Sequence, residues 1–419
     1  MLTALSTALS ALNAQSTAID VVGNNLANLN TTGYKASSTE FYDLVSQTMG
    51  EGGSTQIGLG VGTPLTKRNF TNGQIQGTSG PLDLAIQGSG FLIVKDPGGA
   101  TLYTRAGDLK TDKAGNLMDS TGAYVQGWTA SNGAVNTSSP IGNLVVPVGS
   151  LKPPVATQNM SVTANLDSRS APVTGTQNAA NTSFSTGVTM YDSLGNSHLA
   201  TVNFWNNGGN SWNWQATIPG ADVGSATDQQ IGSGSLTFDS TGKLTSPAAT
   251  DPAPQLSISG LSDGASNMTV NFNLFSGTTP VLTQFGQASG SAAQFQDGAP
   301  SAQLSKVGIG NGGTVVATYS DGQTVTMGQI AMANFVNPDS LIAVGNNAYQ
   351  TSGTSSLPSI GVPNSGGRGQ ILGSSLESST VDIATEFTNL MVGQRSYQAN
   401  AKVVTAADQI NQVTIDLIR

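Results

Sequence analysis

His198 has the broadest chemical repertoire of any residue in this chain, because it is the only histidine among 419 residues and the chain has no cysteine. Without cysteine there is no thiolate nucleophile, thiolate metal ligand or disulfide. A single histidine cannot form a histidine metal cluster, and no nucleophile stands at motif spacing from it. Because His198 alternates with apolar residues on a predicted strand, we interpret it as a residue on the surface of that strand.

Turns account for the other chemical motifs. The stretch GIGNGG, Gly308–Gly313, matches the glycine pattern of dinucleotide-binding loops, but the strand-like stretch TVVATY follows where such a loop requires a helix. Asp112, Asp119, Asp192 and Asp321 precede glycines in predicted tight turns. No segment supplies the closely spaced oxygen ligands of a calcium loop. A distant carboxylate pair for glycoside hydrolysis stays open, with nothing to favour it. We therefore predict no catalytic, metal or cofactor site.

The composition favours many short strands. Glycine occurs 52 times and only 9% of residues are charged, which is typical of strands joined by tight turns. The formal net charge is −9, and the 15 lysines and arginines form no basic stripe. A nucleic-acid reader needs clustered positive charge, so that class is excluded. No run reaches the roughly 18 apolar residues of a membrane helix, and the N-terminus does not resemble a cleavable secretory signal.

Both ends of the chain carry apolar residues at helical spacing. Near the N-terminus they recur every seven positions, at Leu5, Leu12, Ile19 and Leu26. Near the C-terminus an alternating four-three spacing includes Ile383, Phe387, Leu390, Tyr397, Val404, Ile415 and Ile418. Ser378, Ser379 or Thr380 is predicted to cap this second helix. We predict two coiled-coil-like helices that pair with each other and are also buried between subunits.

The region between the helices predicts strands. Short apolar stretches alternate with Asp and Gly turns, as at Gly90–Lys95 and Val188–Tyr191. The predicted fold is multi-domain and mainly β, with paired N- and C-terminal α-helices flanking nested β domains, one inserted in the other. The predicted domains are 1–30 with 374–419 for the paired helices, 31–71 with 357–373 for a connecting segment, 72–146 with 285–356 for a β domain, and 147–284 for the inserted β domain.

The stretch NNLANLNTTGYK, Asn24–Lys35, lies where the first helix should end. Leu26 and Leu29 continue the helical spacing, whereas Asn30–Gly33 offers side-chain hydrogen bonds and a glycine for a left-handed cap. A ligand loop would have a cluster of charge nearby, and none is present. We interpret this stretch as the joint between the first helix and the connecting segment.

Three stretches resemble the bacterial flagellar axial family of rod, hook and hook-associated proteins. NNLANLNTTGYK is similar to its N-terminal motif, LMVGQRSYQANAKVVTAADQI (390–410) to its C-terminal motif, and NGQIQGTSGPLDLAIQGSGFLIV (72–94) to a β segment of rod and hook members. The motif positions singled out are Asn24, Asn25, Asn28, Gly33, Tyr34, Lys35, Gln394, Arg395, Tyr397, Gln398 and Asn400. The insertion of about 140 residues favours the hook members, with the distal rod members as the alternative.

The resemblance implies an architecture rather than a reaction. Subunits of the family form a helical tube in which the terminal helices line the inner wall and β domains D1 and D2 stack outward. The hook is a curved tube that acts as a universal joint and carries motor torque to the filament. The implied partners are further copies of the chain, the distal rod protein, the hook-filament junction protein, the hook cap and the flagellar export apparatus. The implied location is the extracellular flagellum, reached through the flagellar type III apparatus.

Two other classes share parts of this sequence pattern. A secreted adhesin would have similar strands, but usually also internal repeats and no paired terminal heptads. A carbohydrate-active enzyme could use tryptophans such as Trp205, Trp212 and Trp214 as sugar platforms, beside a pair of carboxylates. Tubes seen by electron microscopy, against glycan binding or hydrolysis by the monomer, would distinguish these classes.

Overall fold

The computed structural model describes residues 2–44, 47–48, 56–131, 133–149, 151–353 and 355–416. The first elements are α1 (Leu2–Ala27), β1 (Ser37–Glu40), β2 (Gln47–Thr48), β3 (Gln56–Ile57), β4 (Leu65–Arg68), β5 (Ile75–Gly77), β6 (Leu84–Gln87), β7 (Phe91–Lys95), β8 (Thr101–Thr104), β9 (Leu109–Thr111), β10 (Leu117–Asp119), β11 (Tyr124–Ser131), β12 (Ala134–Val135) and β13 (Gly142–Asn143). The central elements are β14 (Leu151–Lys152), β15 (Asn159–Asp167), β16 (Phe184–Tyr191), β17 (Ser197–Gly208), β18 (Ser211–Ile218), β19 (Gln229–Phe238), β20 (Leu244–Ser246), β21 (Gln255–Ile258), β22 (Met268–Phe272), β23 (Phe275–Ser276), β24 (Thr279–Pro280), β25 (Leu282–Phe285) and β26 (Gly290–Gln296). The last are β27 (Ala302–Ile309), β28 (Thr314–Tyr319), β29 (Thr324–Ile330), β30 (Met332–Asn334), β31 (Ile342–Gly345), β32 (Ala348–Gln350), β33 (Ser359–Gly361), β34 (Gln370–Gly373), β35 (Ser375–Glu377) and α2 (Ile383–Asp416).

The predicted fold class, mainly β with paired terminal helices, is confirmed. The chain forms two compact units. The first comprises Met1–Val148, Ser305–Thr318 and Gln323–Arg419, and the second comprises Gly149–Leu304 and Tyr319–Gly322. The second unit ends well after the predicted end of the insertion at residue 284, because β26 pairs with β15 along residues 290–296. The finer division into four domains stays a prediction.

The β core of the first unit is an antiparallel sheet in the order β28–β29–β11–β7–β8–β32–β31. Its central strand β7 is buried on both faces, as the unbroken apolar run FLIV predicts. Aromatic rings pack edge to face there: Phe335 lies 4.9 Å from Tyr103 and 5.8 Å from Phe91 between ring centroids. This rigid core supports the segments that lead to the helices.

Two short antiparallel pairs return the C-terminal part of the chain to its N-terminal part. Strand β34 pairs with β6, and β35 pairs with β5 so that Glu377 stands opposite Ile75. The connecting region forms a third pair, β1 with β4. The first two pairs join residues that lie 283 to 302 positions apart in sequence.

The two terminal helices pack against each other along one side of each. On α1, Ala8, Ala14 and Val22 are buried, and the predicted residues Leu5, Leu12, Ile19 and Leu26 are half-buried. Gly393 of α2 is buried facing Ile19, whose Cγ1 would lie 3.1 Å from a Cβ placed on this glycine. A glycine that weakens an isolated helix thus allows a close approach of the pair.

The predicted cap of α2 at Ser378–Thr380 is wrong. The helix begins at Ile383, and Asp382 Oδ1 accepts the Thr385 backbone N–H at 2.7 Å. Thr380 has another role, because its Oγ1 accepts the backbone N–H of Ala36 at 2.9 Å. Within the described ranges, no helix combines the length and apolarity needed to cross a membrane.

Replacing Gly393 by leucine is expected to weaken helix pairing by about 1–3 kcal/mol, because the larger side chain overpacks the contact with Ile19. Chemical denaturation of the full chain, followed by far-UV circular dichroism, measures this loss. Gly23→Leu is the matched control, since Gly23 is an exposed glycine of α1 with nothing within 4 Å of an added Cβ. Equal stability of the two leucine variants would contradict the prediction.

The largest sheets of the second unit are two five-stranded ones. One is antiparallel in the order β16–β17–β18–β19–β20, and the other has the order β21–β22–β15–β25 with β26 also on β15. The alternating pattern of SWNWQATI on β18 buries every second side chain. Trp214 packs on Phe272 at 5.1 Å between ring centroids. Because Trp205, Trp212 and Trp214 are buried, their rings do not offer surface platforms for sugars.

Candidate functional site at the helix–sheet junction

The segment that follows α1 is a series of turns. The helix ends at Ala27, so the prediction that Leu29 belongs to it is wrong. The Asn28 N–H donates to the carbonyls of Asn25 (3.0 Å) and Asn24 (3.2 Å), which tightens the last turn. The positive φ expected for Gly33 is confirmed at +68°, but Gly33 lies six residues after the helix and does not cap it. Its N–H donates to the Glu377 carbonyl at 2.8 Å.

Asn25 connects three elements from inside α1. Its buried Nδ2 donates to the Ser37 carbonyl at 2.8 Å and to Glu386 Oε1 of α2 at 2.9 Å. Its Oδ1 accepts the Ser37 N–H at 2.9 Å and the Tyr34 hydroxyl at 3.2 Å. All four hydrogen-bonding positions of the amide are used, so this side chain fixes the end of α1 relative to β1 and the start of α2.

A second group of buried polar side chains, here called the Glu377 cluster, comprises Lys35, Asn72, Gly73, Arg105 and Glu377. The side chains of Lys35 and Glu377 are both 0% exposed, with Nζ 2.6 Å from Oε1. The same Oε1 accepts the Gly73 N–H at 2.7 Å and lies 3.5 Å from Arg105 Nη1. One carboxylate is thus the shared counter-ion of two buried cations.

The two cations are also hydrogen-bonded to the protein around them. Lys35 Nζ donates to the Thr71 carbonyl at 2.6 Å. Arg105 donates through Nη1 to Asn72 Oδ1 at 3.0 Å and through Nη2 to the Gly88 carbonyl at 2.8 Å. Its guanidinium lies over the Phe91 ring, 5.3 Å from the centroid. These contacts attach the cluster to the β core of the first unit.

Electrostatics in the cluster depend on Glu377. Burial lowers the pKa of Lys35 and the charge of Arg105 lowers it further, whereas the Glu377 carboxylate opposes both. Burial likewise lowers the pKa of Arg105, and Glu377 again opposes the shift. The carboxylate therefore favours the charged forms of Lys35 and Arg105 in a site where burial disfavours them. Since donors of the protein itself occupy Oε1, the arrangement is suited to joining segments.

The junction unites the N-terminal motif but not the C-terminal one. Tyr34 and Lys35 are buried, and Asn24 and Asn28 hydrogen-bond to each other at 2.9 Å. Several predicted α2 residues are instead exposed, namely Ile383, Phe387, Gln394, Arg395, Tyr397 and Gln398. Others are half-buried, namely Leu390, Val404 and Asn400, whose Nδ2 donates to the Ser396 carbonyl. Ile415 lies within α2, and Ile418 lies outside the described residues.

Glu377, Arg105 and Glu386 were not singled out from the sequence. The sequence holds a signal for Glu377 in the stretch QILGSSLE. Glu377 lies an even number of positions from Ile371, which is buried, and so shares its face in an alternating pattern. A charged residue at an inward position requires a buried counter-charge. Nothing in the sequence named Lys35 and Arg105 as its partners.

The GIGNGG stretch forms a turn before β28, with the Gly310 N–H donating to the Thr314 carbonyl at 2.8 Å, as predicted. The interpretation of His198 as a strand-surface residue is wrong, because it is only 5% exposed. Its side chain points into a group of carboxylates, described below.

Family models match most of the chain. They are "Flagella basal body rod protein" at residues 5–35, "Flagellar hook protein FlgE/F/G D1 domain" at 85–165, "Flagellar basal body protein FlaE D2 domain" at 165–299 and "Flagellar basal body rod FlgEFG protein C-terminal" at 373–417. Together with the paired helices and the inserted second unit, they define a structural protein of the flagellar rod and hook class.

Curated relatives identify the member of that class. The flagellar hook protein FlgE of Treponema pallidum is 31% identical over 100% of both chains, and that of Escherichia coli is 30% identical over 99% of this chain and 100% of its own. The chain therefore belongs to the family of flagellar hook proteins, structural subunits of the flagellar hook, and the distal rod alternative is not favoured. The crystal structure of Helicobacter pylori flagellar hook protein FlgE2 shares the fold, with a TM-score of 0.52, 15% identity, and coverage of 71% of this chain and 99% of that one.

Proposed function

We propose that this chain polymerises through its terminal helices into the curved tube of the hook, where it acts as a universal joint that transmits motor torque to the filament. The observation that carries the proposal is the apolar surface of α2 that α1 leaves uncovered. Its large exposed residues are Ile383, Phe387, Met391, Val392, Tyr397, Val403, Ile410 and Val413. Burying apolar surface contributes about 25 cal/mol per Å², so contact between copies has a strong driving force.

The occupant of this surface is a second copy of the chain. A soluble monomer rarely exposes so many large apolar side chains on one helix. A tube requires contacts between different patches of identical subunits, because such contacts propagate. The junction supports this role: Asn25 and the Glu377 cluster hold α1 and α2 in a fixed relation to the β core of the first unit.

The proposal assigns each predicted domain to a part of the tube. Residues 1–30 with 374–419 form the inner tube, 31–71 with 357–373 connect it outward, and 72–146 with 285–356 and 147–284 form domains D1 and D2. It also includes the distal rod protein, the hook-filament junction protein, the hook cap and the export apparatus as partners, with export through the flagellar type III apparatus. Membership of the hook protein family supports these assignments. A mechanical rather than an enzymatic role is supported by membership of the hook protein family.

Replacing Phe387 by serine should raise the concentration at which tubes form while leaving the monomer fold intact, because this side chain is 52% exposed. Sedimentation of concentrated protein and negative-stain electron microscopy measure tube formation. Leu199→Ser is a matched control, since Leu199 is 49% exposed but belongs to β17 of the second unit and not to a helix. Tubes formed by Phe387→Ser at the wild-type concentration would refute assembly through this face.

A further inference from the structure

His198 is surrounded by three carboxylates within the second unit. Its Nδ1 lies 3.0 Å from Asp222 Oδ2, and its Nε2 lies 3.0 Å from Asp192 Oδ2 and 3.5 Å from Asp263 Oδ2. The histidine is almost fully buried, as is Asp192, whereas Asp222 and Asp263 are about a quarter exposed. Neither the hook function nor any sequence motif accounts for this group.

The three carboxylates come from three different connections. Asp192 begins the turn after β16, where its Oδ1 accepts the N–H groups of Leu194 (2.8 Å) and Asn196 (3.0 Å). Asp222 lies in a 3₁₀ turn, Gly220–Val223, that follows β18. Asp263 lies between β21 and β22, and these two strands belong to the other sheet.

Further hydrogen bonds join the same three connections. The Ser262 N–H donates to the Asp222 carbonyl at 2.8 Å, and Asn196 Nδ2 donates to Asp263 Oδ2 at 3.0 Å. The Ser266 N–H donates to Ser193 Oγ at 3.0 Å. His198 therefore stands where connections of one sheet meet a connection of the other.

The geometry requires a charged histidine. A neutral imidazole donates through only one ring nitrogen, and an ionised carboxylate only accepts. Here both ring nitrogens lie at hydrogen-bond distance from carboxylate oxygens, so with ionised carboxylates both carry a proton. With the imidazolium, the four side chains sum to a charge of about −2, and with neutral imidazole to about −3.

We propose that protonated His198 is a cationic clamp that joins the Asp192 turn, the Asp222 turn and the Asp263 loop, so that the two sheets of the second unit are held together more firmly in acidic than in alkaline medium. Loss of the proton removes the one positive charge and leaves three carboxylates facing each other. The clamp is a property of the second unit alone and does not depend on how the tube assembles.

The direction of the pH dependence follows from the shifts of two groups. Burial opposes the charged form of His198, but the hydrogen bonds to Asp192 and Asp222 outweigh it and raise its pKa. Its stabilisation is therefore complete below the unfolded value of about 6.5 and is lost as the pH rises through the raised pKa of the folded state. Burial likewise opposes ionisation of Asp192, but its hydrogen bonds with His198, with Asp263 and with the backbone N–H groups of Asn196 and Leu194 lower its pKa. This second contribution is present above about pH 3.9 and is lost only as the pH falls through the lowered pKa.

The decisive measurement is a titration of the ring nitrogens by nuclear magnetic resonance on the intact chain, in which His198 is the only histidine and needs no assignment. We expect both ring nitrogens to carry protons at pH 6.5 and the midpoint to lie above 6.5. Each unit of increase corresponds to a tenfold change in the unfolding equilibrium between low and high pH. A midpoint at or below 6.5 would overturn the clamp.

A metal ion is the competing occupant, because Asp192, His198 and Asp263 offer ligand atoms within 4.8 Å of one another. The titration is therefore repeated with added Zn²⁺ and with a chelator. If Zn²⁺ deprotonates the ring and raises the unfolding temperature at pH 7, the site binds metal and the clamp proposal fails. An unchanged imidazolium in both conditions supports the clamp.

Variants add a second readout. Thermal unfolding is followed by the tryptophan near-UV signal, to which the second unit contributes three of the four tryptophans. The unfolding temperature of the wild type should decrease as the pH rises from 6.5 to 9. His198→Gln should abolish this dependence on pH. Asp239→Asn is the control, because Asp239 lies in another turn of the same unit and bonds only within it, to Thr241 and Lys243. An unchanged slope in His198→Gln would refute the proposal.

Discussion

Replacing Glu377 by glutamine is expected to destabilise the first unit by about 3–5 kcal/mol, the usual cost of breaking a buried ion pair by removing one partner. The amide leaves Lys35 and Arg105 as two buried cations without a counter-charge, while its size stays nearly the same. Chemical denaturation of the full chain with a helical circular dichroism signal measures the loss. We also expect strongly reduced swimming when this variant replaces the hook protein of a motile strain.

The control for this prediction is an ion pair that water can reach. Lys67 and Asp339 lie 3.3 Å apart with both side chains exposed, so Asp339→Asn should cost less than about 1 kcal/mol. The loss of stability caused by Lys35→Met should lie between the losses caused by Glu377→Gln and Asp339→Asn, since Glu377 then keeps Arg105 as its partner. Similar losses for Glu377→Gln and Asp339→Asn would mean that the cluster does not hold the junction together.

Replacing Gly33 by alanine is expected to cost about 2–5 kcal/mol, the sum of a left-handed backbone penalty and an overpacking penalty. Its φ is +68°, and an added Cβ would lie 2.7 Å from the carbonyl carbon and oxygen of Arg105. Because these are backbone atoms of the β core, they cannot turn away as a side chain could. Gly33→Val should be worse, and hook assembly and swimming should suffer more than export.

Gly312→Ala separates the two penalties. Gly312 has a φ of +84° with nothing within 4 Å of an added Cβ, so this variant incurs only the backbone term of about 1–2 kcal/mol. Denaturation curves of both alanine variants give the difference directly. If Gly33→Ala is no less stable than Gly312→Ala, the close approach to Arg105 is not a constraint.

Periodicity predicted elements well, because it depends on neighbours in sequence. The apolar spacing located both helices, and the strand predicted around His198 is present as β17. Capping was not predictable in the same way. Thr380 is chemically suited to be a helix cap, but it bonds instead to Ala36, 344 positions away in the chain, and no local pattern reveals such a partner.

His198 illustrates the limit of alternation. The pattern HLATVNF identifies two faces of a strand, but it does not say which face meets the core. Leu199 is exposed on β17, whereas His198 shares the buried face with Ala200 and Val202. A buried histidine needs polar partners, and these come from turns 24 and 65 positions away from it in sequence and from Asp192 nearby. The core face of β17 is chosen by packing between sheets.

The joint at NNLANLNTTGYK was located correctly as the place where α1 ends. Local side-chain hydrogen bonds are predicted for Asn30–Gly33, and Thr31 Oγ1 donates to Asn28 Oδ1. Asn25 instead bonds to Glu386, 361 positions away. Local chemistry therefore predicted where the chain turns, and long-range contacts determine what holds the turn in place.

Lys35 and Glu377 lie 342 positions apart in sequence, so the junction forms only when the chain extends as far as Glu377. Closing a loop of that size costs only about 2 kcal/mol more than closing one of some 40 residues, so length alone does not prevent it. A chain that stops short of Glu377, however, has no acceptor for Lys35 and Arg105 and must leave both cations in water. Prematurely terminated subunits would thus fail to fix α1 and would be left out of a growing polymer.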